Sequence, residues 1–316
     1  SEVNTKLTRL RALMEQQQVG AVWLRNSNNV AWITGGLDIK VNTADNVGIA
    51  SIVVTQNNAT VWTNNIEAVR VSNEDHIEER GFVLRSAPWH GALPIELGAT
   101  LGTDIPMDGA KDLSRDLSIL RSKLLPVEIE RFRTLGGLCA EGMQRAINRV
   151  KPGHTEYELA AALTYETYSR GVRPIVVLVA TDERIFQYRH PLPTKKIMEK
   201  YAMLVLCGRK DGLTCSVTRL VHFGALPEEL RQKQQACAEV DAAIIAASQP
   251  GAVLEALFGV LKNAYAAAGY AEEYQLHHQG GIAAYEPREL LAVPGEKTAL
   301  ETGMMCAWNP SITGVK

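Results

Sequence analysis

The sequence predicts an α+β protein of two domains, and three observations carry that prediction. The chain is 316 residues long, enough for two separate cores. Short apolar strands alternate with helices up to about residue 125, which implies a mixed sheet covered by helices. Beyond Pro126 the order becomes helix, helix, three strands, helix, helix, strand, two roughly duplicated halves. Composition excludes several classes. Hydrophobic residues make up 46% and aromatic residues 6%, which suits packed cores rather than disorder. The net charge of -2 leaves no basic face for nucleic acid. No apolar run reaches the roughly 18 residues a membrane helix needs. Five cysteines, Cys139, Cys207, Cys215, Cys237 and Cys306, show no CxxC spacing, as expected of reduced thiols in a cytoplasmic protein.

Residues 6–18 place Leu7, Leu10 and Met14 on one helical stripe, and Gly20 ends it. Residues 21–24 read as a buried strand and 26–29 as a turn and cap. Residues 30–34 form a helical turn closed by Gly35 and Gly36. A polar loop spans 38–46. Strands at 48–55 and 59–62 flank Asn57-Asn58, a hairpin signal. Residues 66–74 read as helix, 82–84 and 100–105 as strands, and 111–125 as a helix or a linker.

The second domain opens with a long helix at 128–150, stopped by Lys151-Pro152-Gly153. Thr155 with Glu158 three residues on is a capping box, and its helix ends at Gly171. Strands follow at 173–180, 201–207 and 215–223, the last two joined by an Asp211-Gly212 turn; Asp182 and Glu183 read as a solvated loop. Helices at 227–247 and 252–268 come next. Then His277-His278-Gln279-Gly280-Gly281 brings two imidazoles to a glycine-rich turn, followed by Tyr285-Glu286-Pro287-Arg288-Glu289. Histidine moves protons near neutral pH, and arginine grips carboxylates with two prongs.

The run LLPVEIERFR, KPGHTEYELAA, YRHP, DGLTCSVTRLVHFG, HHQGG, GMMCAWNPSI resembles the pita-bread family of prolidase, aminopeptidase P, methionine aminopeptidase and creatinase. The resemblance implies a smaller α/β creatinase-type N-terminal domain over 1–125 and a pita-bread domain over 126–316 that stops short of its last strand. Metallopeptidases of this family hold two divalent ions on two Asp, one His and two Glu. Here His278 keeps the His position, but Ser216 and Asn309 stand at one Asp and one Glu position. The other Asp falls between Val205 and Cys207, where no carboxylate occurs, and the last Glu would lie beyond Lys316. Two +2 ions at about 3.5 Å repel by about 20 kcal/mol even at an effective dielectric near 20, and these residues do not offset that.

The expectation is therefore a metal-independent, creatinase-like hydrolase, without cofactor, cleaving a C–N bond of a small, carboxylated substrate. His190 would be general base and acid and His278 an oxyanion or water stabiliser. Arg288, Glu286, Asn309, Ser216 and Tyr285 would contact substrate, Arg288 as clamp; Arg288 and Glu286 also read as a solvated ion pair. His277 is expected to point away if the stretch is a strand. The resemblance also implies a homodimer, with the loop 38–45 reaching the other subunit's site. The alternatives are a metallopeptidase of the Xaa-Pro aminopeptidase or dipeptidase type and a non-catalytic binding module.

Overall fold

The computed structural model describes residues 1–95 and 100–316. The chain forms two compact units, Ser1–Leu125 and Pro126–Lys316.

In the first unit, α1 (Glu2–Gln17) is capped by the Ser1 hydroxyl and buries Leu7, Leu10 and Met14. It begins earlier than the apolar stripe suggests, at the Ser1 cap, and Lys6 within it is fully buried, donating to Trp32 O at 2.7 Å and paired with Glu2. Then come β1 (Ala21–Asn26), α2 (Ser27–Thr34), β2 (Val47–Thr55), β3 (Ala59–Asn64), α3 (Ala68–Asn73), β4 (Val83–Ala87), β5 (Leu101–Thr103), β6 (Ala110–Asp112) and α4 (Ser114–Ser122). The strands form one mixed sheet in the order β4-β3-β2-β1-β5-β6. The segment 111–125 holds both the end of β6 and α4; β6 pairs over only three residues, too few for a periodicity signal.

The second unit opens with α5 (Pro126–Ile147) and α6 (Glu156–Tyr168), whose capping box between Thr155 and Glu158 is formed in both directions. Next are β7 (Arg173–Thr181), α7 (Glu183–Gln187), β8 (Tyr201–Lys210) and β9 (Leu213–His222), an antiparallel sheet in chain order. The β8–β9 turn has positive φ at both Asp211 (51°) and Gly212 (82°), the two-residue geometry that matches strand twist. The pattern repeats as α8 (Glu228–Ala247), α9 (Leu254–Ala267), a 3₁₀ turn (Glu273–Leu276), β10 (Gly280–Ala283), β11 (Leu290–Leu291) and β12 (Met305–Trp308). The second sheet runs β11-β10-β12, antiparallel throughout. Gly280 (φ 106°) and Gly281 have no room for a Cβ, which would collide with the carbonyl oxygens of Ala307 and Leu290. Thr214 joins the two sheets, its backbone N–H donating to Ala284 O at 2.9 Å.

Asp182 corrects an expectation. It is not a solvated loop residue: its carboxylate accepts the backbone N–H groups of Glu199 (2.8 Å), Lys200 (2.9 Å) and Tyr201 (2.9 Å) at the start of β8.

Candidate functional site

Three imidazoles meet in the second unit. His190 lies in the loop after α7, His277 directly follows the 3₁₀ turn, and His278 leads into β10. Contacts far apart in sequence hold the His190 loop. Val179 N–H donates to Pro191 O at 3.2 Å, which draws the loop onto β7. Arg189 pairs with Glu273 at 2.6 Å and reaches Thr313 Oγ1 at 3.2 Å. Glu273 also accepts from the backbone N–H of Thr313 at 3.0 Å. One carboxylate thereby ties together the His190 loop, the turn before His277 and the segment after β12. Gln279 fixes the turn from the other side, its Nε2 donating to His277 O at 2.7 Å.

The expectation for His277 fails. Its Nε2 stands 2.8 Å from His190 Nε2, and its ring stacks on His278 with centroids 4.3 Å apart. Alternation of faces holds within a pleated strand, but β10 begins only at Gly280, and His277 is an extended residue ending a 3₁₀ turn. Asn309 sets its tautomer. The Asn309 Nδ2 donates to His277 Nδ1 at 2.9 Å and to His278 O at 3.1 Å, while Oδ1 accepts from Arg288 Nη2 at 2.8 Å. With Nδ1 accepting, His277 carries its proton on Nε2 and donates it to His190 Nε2.

The three rings line a cavity of about 180 Å³ together with Ser216, Cys207, Arg288, Asn309 and Lys316, and among the described residues no side-chain carboxylate lines it. Burial pushes the His277 pKa down to about 3, and Lys316 and the neighbouring imidazoles add to the effect. Burial, then Arg288, brings His278 to about 4, and burial also lowers His190. All three are neutral near pH 7. Burial lowers Lys316 to about 8. Burial raises the Cys207 thiol, although its sulfur lies 3.1 Å from Ser216 Oγ.

Thus His190, His278, Arg288, Asn309 and Ser216 are brought together, and two other expected contacts are not. Tyr285 is fully buried, and its hydroxyl donates to the buried Glu128. Its aromatic bulk and a partner on α5 make it part of the core. Glu286 lies at a turn where its backbone N–H donates to Glu289 Oε1 at 3.0 Å, and it does not line the cavity. Lys316 and Arg189 escaped the sequence reading. Adjacency to His190 was the one available signal for Arg189, and Lys316 sits in no local pattern.

The sequence matches the family described as Metallopeptidase family M24 over residues 130–316. It matches the Creatinase/Prolidase N-terminal domain over residues 6–109. Xaa-Pro dipeptidase from Pyrococcus horikoshii is 21% identical over 330 residues, covering 98% of this chain and 90% of that protein. The crystal structure of the prolidase from Pyrococcus horikoshii OT3 superposes with a TM-score of 0.81 at 18% identity, covering 98% of this chain and 92% of that one. Xaa-Pro dipeptidase from Bacillus anthracis gives 0.78 at 14% identity, covering 99% and 92%.

These findings overturn the expected metal-independent, creatinase-like hydrolase: the matching family is one of metallopeptidases, and the relatives are Xaa-Pro dipeptidases and prolidases. The residues do not fit the pair of ions described for that family. Among the described residues, neutral imidazoles and two cations line the cavity without a side-chain carboxylate, which does not offset four positive charges. Among the described residues no helix is long and apolar enough to cross a membrane. With the family matched over more than half of its length and the fold shared along nearly all of it, the chain belongs to metallopeptidase family M24, hydrolases of the pita-bread fold.

Proposed function

We propose that this protein is a metallopeptidase of the Xaa-Pro dipeptidase type, cleaving short peptides that end in a free carboxylate. The observation that carries the reading is the pairing of a cationic wall with titratable imidazoles in one small cavity. Arg288 and Lys316 line it together with His190 and His278. A neighbouring cavity of about 390 Å³ shares Ser216, Thr218, Arg288, Asn309 and Lys316, so a dipeptide has room to extend. Arg288 is held by Pro287 O (2.5 Å) and Asn309 Oδ1 (2.8 Å), which aims it before substrate arrives. A guanidinium fixed in this way binds a carboxylate with little ordering cost. His190 receives a hydrogen bond at Nε2, so its own proton sits on Nδ1, where it can donate a hydrogen bond to a substrate oxygen. The small polar substrate, the cytoplasmic setting and the homodimer belong to the same proposal.

Purified protein incubated with each of several divalent ions should hydrolyse Ala-Pro and Leu-Pro. Arg288→Met should raise KM for free dipeptides at least tenfold and leave the corresponding dipeptide amides, which lack the carboxylate, almost unaffected. Failure to cleave any Xaa-Pro peptide under any metal condition would leave the binding-module reading in its place.

A further inference from the structure

We propose that His190, His277 and His278 form a site for a single borderline divalent cation, Zn²⁺ foremost, where the family described above uses two ions on carboxylates. This deepens, and rests on, the metallopeptidase reading. One nitrogen from each ring lies within 4.8 Å of the other two. Three imidazoles with an open fourth position are a complete protein ligand set for a catalytic zinc. The donors are neutral and soft enough for Zn²⁺, whereas Mg²⁺ and Ca²⁺ call for all-oxygen ligand sets built on carboxylates, and three imidazoles supply none. Among the described residues, neither ring nitrogen of His278 has a hydrogen-bond partner, so its lone pair is available. One ion also meets the charge limit that excludes two.

The geometry shows what loading requires. Zn–N bonds near 2.1 Å set the nitrogens of a tetrahedral site roughly 3.4 Å apart. The 2.8 Å contact between His190 and His277 therefore has to open, and a separation at the 4.8 Å limit has to close by about 1.4 Å. His277 must also move its proton from Nε2 to Nδ1, a change of tautomer with no net proton released. The atom facing Nδ1 is the Asn309 amide nitrogen, which is itself a donor. Loading therefore needs Asn309 to turn its oxygen toward His277, at the cost of its bond from Arg288. Asn309 is the gatekeeper of this site, and Arg288 and Lys316 weaken it by charge. A substrate carboxylate neutralises those two cations, so substrate and ion should bind cooperatively.

The test is a titration of the full-length protein, without a histidine tag, with Co²⁺ followed by its visible absorption, and with Zn²⁺ by calorimetry. One equivalent, with the intense spectrum of tetrahedral cobalt, is expected. His278→Ala and His190→Ala should each weaken binding at least tenfold. Asn309→Asp supplies an acceptor for His277 Nδ1–H and a negative charge, and should tighten it tenfold or more. That gain cannot come from misfolding. Two equivalents, no saturable binding, or binding indifferent to His190 and His278 would overturn the site. If one ion binds as described and no Xaa-Pro peptide is cleaved, the site stands and the peptidase reading falls. Cleavage that persists after His278→Ala abolishes binding would retain the peptidase and overturn the ion's part in it.

Discussion

Glu156 and the His190–His277–His278 cluster lie in the same unit and solve opposite problems. The Glu156 carboxylate is fully buried and saturated. It accepts from Thr181 N–H (2.9 Å) and hydroxyl (3.1 Å), and from Thr194 N–H (2.9 Å) and hydroxyl (2.7 Å), and it pairs with Arg184. Among the described residues, the side-chain hydrogen bonds of the imidazole cluster are those to Asn309 and between His277 and His190, and the cluster opens onto a cavity. A saturated polar group stabilises the fold and has nothing left to offer a ligand. An unsaturated cluster contributes little to the fold and keeps its lone pairs for something else. Glu156 is spent on the scaffold, while neutral and cationic groups face the cavity of the three imidazoles.

The contrast makes a graded set of predictions. Glu156→Ala leaves Arg184 and two threonine N–H groups without their acceptor, and should cost about 3–5 kcal/mol in urea unfolding. A loss under about 1 kcal/mol would erase the contrast. Arg189→Leu removes the ion pair to Glu273 and should cost about 2 kcal/mol, together with a fall in Xaa-Pro turnover, since the same pair positions His190. Turnover unchanged alongside that loss would show that Arg189 has no positioning role.

Asp182→Asn should cost about 1–2 kcal/mol by disrupting the fork on β8. Burial raises this carboxyl, but the N–H groups of Glu199, Lys200 and Tyr201 outweigh it and hold the pKa below the ordinary 3.8. A depressed folded-state value gives stability that is complete above 3.8 and is lost as pH falls through the folded value. The variant should therefore show a shallower acid limb in a pH series of melting curves. His278→Ala should have the smallest effect on stability, within about 0.5–1 kcal/mol, while the cavity's ligand chemistry is lost. A large destabilisation would make His278 a scaffold residue and remove the distinction from Glu156.

Sequence reading succeeded where rules are local. The Thr155–Glu158 capping box and the Asp211-Gly212 turn depend on a few adjacent residues, and both are formed. His190 and His278 were marked through motif position, and the structure puts them in one cavity. His277 was misjudged because strand alternation was extended to a residue before the strand. Tyr285 was misjudged because its partner, Glu128, lies 157 positions away. The family's chemistry was misjudged because Ser216 and Asn309 at two ligand positions were weighed above the order of motifs along residues 130–316, which is what the family match follows. The short strands β11 and β12 are set by pairing with β10, not by any periodicity of their own.

Glu273 joins residues that leave the ribosome at very different times. The His190 loop emerges early, the histidine pair nearly ninety positions later, and Thr313 later still. Until Thr313 is out, the clasp on Arg189 lacks one of its two supports. A nascent chain therefore presents an incomplete pocket through most of its synthesis.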